Sequence, residues 1–167
     1  MRLTSFEAIV RALNAAGVPF LVVGGLAVNA HGYGRQTADV DLVIHLEPTV
    51  IGNAFRALAG LGYQPRVPVT VADFSDSARR ARLTAEKGMT VLAFHSEAHR
   101  ETPVDVFVAE PFDFAAEHAR ALIEDVAPGA PVRIVQLDTL LRLKREAGRP
   151  QDLADIAELG LLHGDRE

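Results

Sequence analysis

The sequence predicts an α/β fold in which a short, mixed, twisted sheet is flanked by helices and joined by a helical C-terminal part. Three observations predict it. Apolar runs of strand length recur at residues 20–23, 40–44, 89–94 and 104–108. Between them lie segments with apolar residues at helical spacing. The first two runs are separated by Gly24-Gly25 and a helix-length interval, and the second carries the carboxylates Asp39 and Asp41.

In chain order, Thr4 and Glu7 have the spacing of a capping box, so a helix is expected to open with Thr4 as N-cap. Phe6, Ile9, Val10 and Leu13 form its buried stripe, and Gly17 ends it. Pro19 introduces the strand Phe20-Leu21-Val22-Val23, and Gly24-Gly25 lets the backbone turn sharply and approach a ligand closely. Leu26 to His31 reads as a short helix whose free N–H groups point back at the turn, a seat for phosphate. Gly32-Tyr33-Gly34 closes it, and Arg35 to Ala38 is the loop into the carboxylate strand. Pro48 starts a helix running to about Leu61, stopped by Gly62.

Residues 63–72 read as extended, with Tyr63, Val67, Val69 and Val71 at odd positions. Residues 73–87 are charged and helical with little apolar face, which fits a solvated surface element or, alternatively, a lid or substrate arm. Strands follow at 89–94 and 104–108. The second of these places Val104, Val106 and Val108 on one face, with Asp105 and Phe107 on the other. A helix is expected from Phe112 to about Val126, then a turn at Pro128-Gly129-Ala130-Pro131 and a short strand over 132–135. Leu137 to Ala147 is helical, Gly148 breaks it and Pro150 begins the last helix. These elements form a single domain, 1–167, with a sheet-containing core over 1–127 and a C-terminal strand and helices, 132–167, packed on it.

The chain has 167 residues, enough for one full core. It contains no cysteine, which excludes disulfides and thiolate metal sites. The first residues lack a signal-peptide core, and no apolar run reaches membrane-spanning length, so a cytoplasmic protein without membrane contact is expected. A net charge of −5 argues against a broad nucleic-acid footprint. No Walker loop, dinucleotide fingerprint or nucleophile–His–Asp pattern is present, which removes P-loop kinases, dehydrogenases and ordinary hydrolases.

Asp39 and Asp41 leave the same face of a strand, about 6–7 Å apart along the chain. Two hard oxygen ligands beside a phosphate seat point to a Mg²⁺-nucleotide site. Asp105 interrupts the apolar run Val104–Val108, where an unpaired charge is costly and demands compensation. Arg35 can grip phosphate bidentately or stand in solvent, and Thr37 can orient a carboxylate or bond phosphate. Lys144 completes the stripe Leu137, Leu140, Leu141, so a lysine holds an inward slot; it either snorkels near the helix end or reaches the triphosphate. Asp152 and Asp155 share a helix face, where first-turn carboxylates stabilise the helix, and pairing with Lys144 or Arg149 is expected over direct catalysis. His45 ends the carboxylate strand, while His95 and His99 fall in a loop that makes a poor metal site.

Apolar-Gly24-Gly25, thirteen intervening residues and Asp39-Val40-Asp41-Leu42 together resemble the signature of the nucleotidyltransferase superfamily named for DNA polymerase beta. Arg35-Gln36-Thr37-Ala38-Asp39-Val40-Asp41 and the run from Leu143 to Ile156 resemble its AbiEii-type and minimal prokaryotic branch. One departure stands out: the family often has serine where this chain has Gly25, which leaves phosphate contact to backbone N–H groups.

The resemblance implies a nucleotidyltransferase with Asp39, Asp41 and Asp105 as metal and catalytic residues. Lys144 would join them in catalysis, and Gly24, Gly25, Arg35, Thr37, Lys144 and Asp152 would bind the nucleotide. It implies Mg²⁺ or Mn²⁺, a nucleoside triphosphate donor, and a tRNA end, protein side chain or small hydroxylated molecule as acceptor. It also implies a toxin role beside an antitoxin protein. The alternative is a non-catalytic nucleotide-binding or partner module of the same fold.

Overall fold

The computed structural model describes residues 1–164. In chain order it contains α1 (Leu3–Ala15), β1 (Phe20–Val22), α2 (Gly24–Ala30), β2 (Val40–Ile44), α3 (Pro48–Gly60), β3 (Gln64–Pro65), α4 (Val71–Ser75), α5 (Ser77–Lys87), β4 (Val91–His95), β5 (Val104–Phe107), α6 (Phe114–Arg120), β6 (Leu122–Asp125), β7 (Pro131–Ile134), α7 (Leu137–Ala147) and α8 (Pro150–His163). The strands form one seven-stranded sheet in the order β3-β4-β5-β2-β1-β7-β6. β2 is parallel to β5 and antiparallel to β1, and β1 is parallel to β7. The mixed α/β class is the predicted one.

The pleat sorts this sheet into two unlike faces. The β2–β5 register sets Val40 beside Val104, Asp41 beside Asp105 and Leu42 beside Val106. Val40, Leu42, Ile44, Val104 and Val106 make a closed apolar face, none more than 2% exposed. Phe94 pairs with Val104 and so belongs to that face, where it meets Phe55 of α3 edge-on at 5.2 Å. Hence α3, with α1 beside it, covers the apolar side. Each buried Phe, Leu or Ile there stabilises the fold by about 1.5–3 kcal/mol. The opposite face carries Asp41, Asp105 and Phe107, and α7 with the start of α8 stands across it.

Five expectations change. α1 starts at Leu3 without a side-chain cap, because its first turn is tied to the loop before β5. There the Arg2 N–H donates to Thr102 Oγ1 at 2.9 Å, and the buried Ser5 hydroxyl lies 2.8 Å from His99 Nδ1. α2 begins at Gly24, so the glycines form its first turn instead of preceding it.

The stretch 63–72 is only briefly a strand. Val71 opens α4 behind a Thr70–Asp73 capping box, and Asp76 then caps α5. Phe74 is fully buried, 5.5 Å from Phe55, and pins the charged segment to the core.

The helix expected over 112–126 stops at Arg120, and Leu122–Asp125 is an edge strand. Its ladder with Pro131–Ile134, closed around Gly129 at φ +71°, outweighs local helix propensity. Finally, β7 lies inside the sheet between β1 and β6, so the C-terminal strand is part of the core and not packed upon it. The last positions of the predicted C-terminal part, 165–167, lie outside the described residues. Among the described residues no helix is long and apolar enough to cross a membrane.

Candidate active site

Parallel pairing brings Asp41 and Asp105 to adjacent positions on one face, with strands about 4.8 Å apart, and Asp39 stands at the entry to β2. The three carboxylates repel one another. Burial, then Asp105 and Asp39, push the Asp41 carboxyl up to about 6, against the opposing pull of the Arg149 guanidinium and the Gly25 N–H. Burial and Asp39 likewise raise Asp105, and Arg66 opposes them.

The glycines are required by what they touch. Gly24 holds φ +63°, and a Cβ there would lie 1.9 Å from Asp41 Oδ2, closer than any real contact. A Cβ on Gly25 would lie 2.5 Å from Thr37 Oγ1. A hydroxyl from the loop therefore occupies the space that a serine at position 25 would need. Thr37 Oγ1 itself donates to the Asp39 carbonyl at 3.4 Å. The Gly25 N–H lies close enough to pull the Asp41 carboxyl down, against the burial and repulsion that raise it.

Two predicted phosphate ligands are engaged elsewhere. Arg35 places Nε 2.6 Å and Nη2 2.8 Å from the carboxylate of the fully buried Asp155, and its Nη1 donates to the Gln36 carbonyl. All three of its nitrogens are taken, so its fork clamps a carboxylate in place of phosphate. Lys144 is 4% exposed and does not snorkel. Its Nζ lies 3.0 Å from Asp152 Oδ1 and 2.7 Å from Asp155 Oδ2. The pairing expected of Asp152 and Asp155 is the one observed, and it ties α7 and α8 to the loop before the carboxylate strand. Burial alone would raise both aspartates. Bonds from Arg149 and Lys144 nevertheless hold Asp152 below the usual carboxylate range, and Arg35, Lys144 and Gln151 bring Asp155 down to about 2.

The carboxylate face opens into a cleft of about 500 Å³. Gly24, Asp41 and Asp105 line one side, with Lys144, Arg149 and Asp152 opposite. Sequence reasoning missed Arg149 and Arg66 as the cations facing the carboxylates. Arg149 had a local signal, since it is held between Gly148 in the left-handed region and the helix-opening Pro150. Arg66 had none. The histidines stay outside: His45 pairs with Glu110 at 3.0 Å, and His99 stacks on Tyr63.

Among the described residues, no three carboxylate or imidazole groups are gathered closely enough to hold a metal ion as they stand. The predicted metal ligands are neighbours on one face and not a closed cluster. Their chemistry fits a hard divalent cation all the same. The set is oxygen-only, and its mutual repulsion is the kind a cation relieves.

The mixed sheet with its flanking helices is the nucleotidyltransferase fold. Three solved structures share it. The antibiotic-resistance factor ANT(2'')-Ia in solution superposes with a TM-score of 0.59 at 17% identity, covering 97% of this chain and 84% of that one. ANT(2'')-Ia in complex with adenylyl-2''-tobramycin superposes with a TM-score of 0.58 at 15% identity, covering 97% and 89%. JHP933 from Helicobacter pylori gives 0.50 at 14% identity, covering 95% and 66%. No protein-family model and no curated protein matches the sequence, so the likeness is one of fold.

Proposed function

We propose that this protein is a metal-dependent nucleotidyltransferase that moves a nucleoside monophosphate from a nucleoside triphosphate to an acceptor hydroxyl, releasing pyrophosphate. The observation that carries this reading is the Asp41–Asp105 pair on parallel strands, with Asp39 beside it, above a floor that only glycine permits. Asp39, Asp41 and Asp105 would hold Mg²⁺ or Mn²⁺, which neutralises the triphosphate and lowers the pKa of the acceptor hydroxyl. Asp105, its carboxyl raised by burial and by Asp39, would accept the acceptor's proton at a carboxylate oxygen. Gly24 keeps the approach to Asp41 open, and the α7 wall of Leu140 and Leu143 shields the cleft from water on one side. The remaining catalysis is positioning.

For the acceptor, a small hydroxylated molecule is the first choice, by fold analogy to the ANT(2'')-Ia complex with adenylyl-2''-tobramycin. The carboxylates of Asp41, Asp105 and Glu146 around the cleft favour one that carries positive charge. The AbiEii-type resemblance makes a tRNA end or a protein side chain the rival acceptors, and with them a toxin paired with an antitoxin. Growth arrest on expression, abolished by Asp39→Asn, would support the toxin role; arrest that survives the substitution would rule it out.

One observation favours the non-catalytic reading: Lys144 and Arg35 are already committed to Asp152 and Asp155. Thermal unfolding with each nucleoside triphosphate, with and without Mg²⁺, separates the two when combined with a pyrophosphate-release assay on a panel of hydroxylated acceptors. At about 100 times its dissociation constant, a true donor stabilises the fold by roughly 2.7 kcal/mol. Stabilisation with release establishes transfer. Stabilisation without release on any acceptor moves the conclusion to a binding module.

A further inference from the structure

We infer that Arg149 is the cation that binds the phosphate chain of the nucleotide in this cleft, a role that rests on the nucleotidyl-transfer reading. The backbone fixes where its side chain starts. Gly148 ends α7 in the left-handed region at φ +61°, Arg149 is extended, and Pro150 opens α8 with a locked φ.

Asp152 then orients the guanidinium. Arg149 Nε lies 2.7 Å and Nη2 3.3 Å from the Asp152 carboxylate, which is itself buried and bonded to Lys144. This holds one edge of the fork and leaves the Nη1 edge without a protein acceptor among the described residues. The side chain remains 74% exposed, lines the cleft and faces Asp41 across it.

Arg35 and Lys144 do not have that freedom, and Arg66, although it acts on Asp105, does not line the cleft. Arg35 has its nitrogens on Asp155 and Gln36, and Lys144 is buried between two aspartates. A triphosphate approaching Asp41 and Asp105 meets net negative charge from the sheet, and Arg149 supplies a planar donor edge on the opposite wall. Guanidinium groups bind phosphate through two parallel N–H donors, which a lysine cannot reproduce. The buried aspartates thus have a second use beyond tying the helices together: Asp152 aims the arginine.

A purely structural Arg149, acting only at the start of α8, makes a different prediction, so binding and stability are read separately. Calorimetric titration of inorganic tripolyphosphate without metal, and of ATP with Mg²⁺, is run on wild type, Arg149→Gln and Arg149→Lys. We expect Arg149→Gln to weaken both ligands by about tenfold or more, as loss of a charge-assisted contact does, and Arg149→Lys to recover part of the loss. The unliganded melting temperature should stay within a few degrees, since Lys144 still pairs with the buried Asp152 and the Arg149 side chain is itself exposed. If wild type binds both ligands and Arg149→Gln binds them equally well, the role of Arg149 is wrong while the nucleotide site stands. If wild type binds no triphosphate under any condition, the proposed function fails and Arg149 loses its role with it. An Arg149→Gln protein that melts far below wild type, with Arg149→Lys restoring stability but no affinity, assigns the residue to the helix start alone.

Discussion

Asp41→Asn should make the metal-free protein more stable while removing its proposed function. In the native state Asp41 is pushed from 3.8 up to about 6, by burial and by the carboxylates of Asp105 and Asp39. The ionised form is therefore disfavoured by folding. Well below pH 3.8 the group is protonated in both states and has no effect on stability. As pH rises from 3.8 to about 6 the unfolded chain releases its proton while the native state keeps its own, so stability falls, and above about 6 the penalty stays constant. The distance from 3.8 to about 6, at about 1.36 kcal/mol per pH unit, amounts to about 3 kcal/mol once both states are ionised, above about pH 7. Asparagine is neutral throughout, similar in shape, and still able to accept from the Gly25 N–H. For a chain of this size that difference raises the melting point by about 6–12 °C. The assay is thermal unfolding of wild type and Asp41→Asn in chelator from about pH 3 to about pH 8. The advantage of the variant should grow from near zero at about pH 3 to a plateau above about pH 7. A variant less stable than wild type at pH 7.5, or a difference that ignores pH, would refute the electrostatic account of this face. Asp105→Asn should stabilise in the same direction, and the double variant by less than the sum, because Asp105 is part of the penalty on Asp41.

Other perturbations test the supporting parts. Lys144→Met leaves Asp152 and Asp155 buried without their shared cation, so chemical denaturation should report a loss of about 3–5 kcal/mol; a loss under 1 kcal/mol would mean the arginines suffice. Asp155 is held down to about 2 by Arg35, Lys144 and Gln151 although burial opposes them, so it contributes stability above its ordinary value of 3.8 that disappears as pH falls through about 2. Asp155→Asn should therefore be destabilised at neutral pH, and its stability curve should converge on that of wild type toward pH 2; parallel curves would contradict this. Gly24→Ala and Gly88→Ala form a matched pair, since both glycines have positive φ but only Gly24 would drive a Cβ into Asp41. Each should lose about 1–2 kcal/mol from left-handed strain. Only Gly24→Ala should also lose Mg²⁺-nucleotide binding, measured calorimetrically; equal binding losses would show that the Asp41 contact is immaterial.

The carboxylate face was legible because its signals are local. Strand alternation alone sets Asp41 and Asp105 on one side and Val40, Leu42, Val104 and Val106 on the other, and the observed register confirms the alternation. The left-handed backbone at Gly24 was legible for the same reason, being a property of one residue, although the glycines open α2 instead of preceding it. What failed locally was decided by distant pairing. Leu122–Asp125 follows a helix with no break in composition and becomes a strand only because Pro131–Ile134 lies beside it. Likewise the first turn of α1 is fixed by Thr102 and His99, about a hundred positions away, and not by its own Thr4 and Glu7.

The charged residues show where such reasoning stops. Lys144, Arg35 and Arg149 are equally good phosphate ligands as letters in a sequence. They differ only in how many of their donors the fold has already taken. Arg35 meets Asp155 across 120 positions, and no spacing rule links them. Lys144 met its expected aspartates, yet at 4% exposure the same pairing withdraws it from the role its inward position suggested. In this fold the buried aspartates of α8 sort the cations by function. They bind two of them into the frame and hold the third by one edge, so that its other edge faces the carboxylates on the opposite wall.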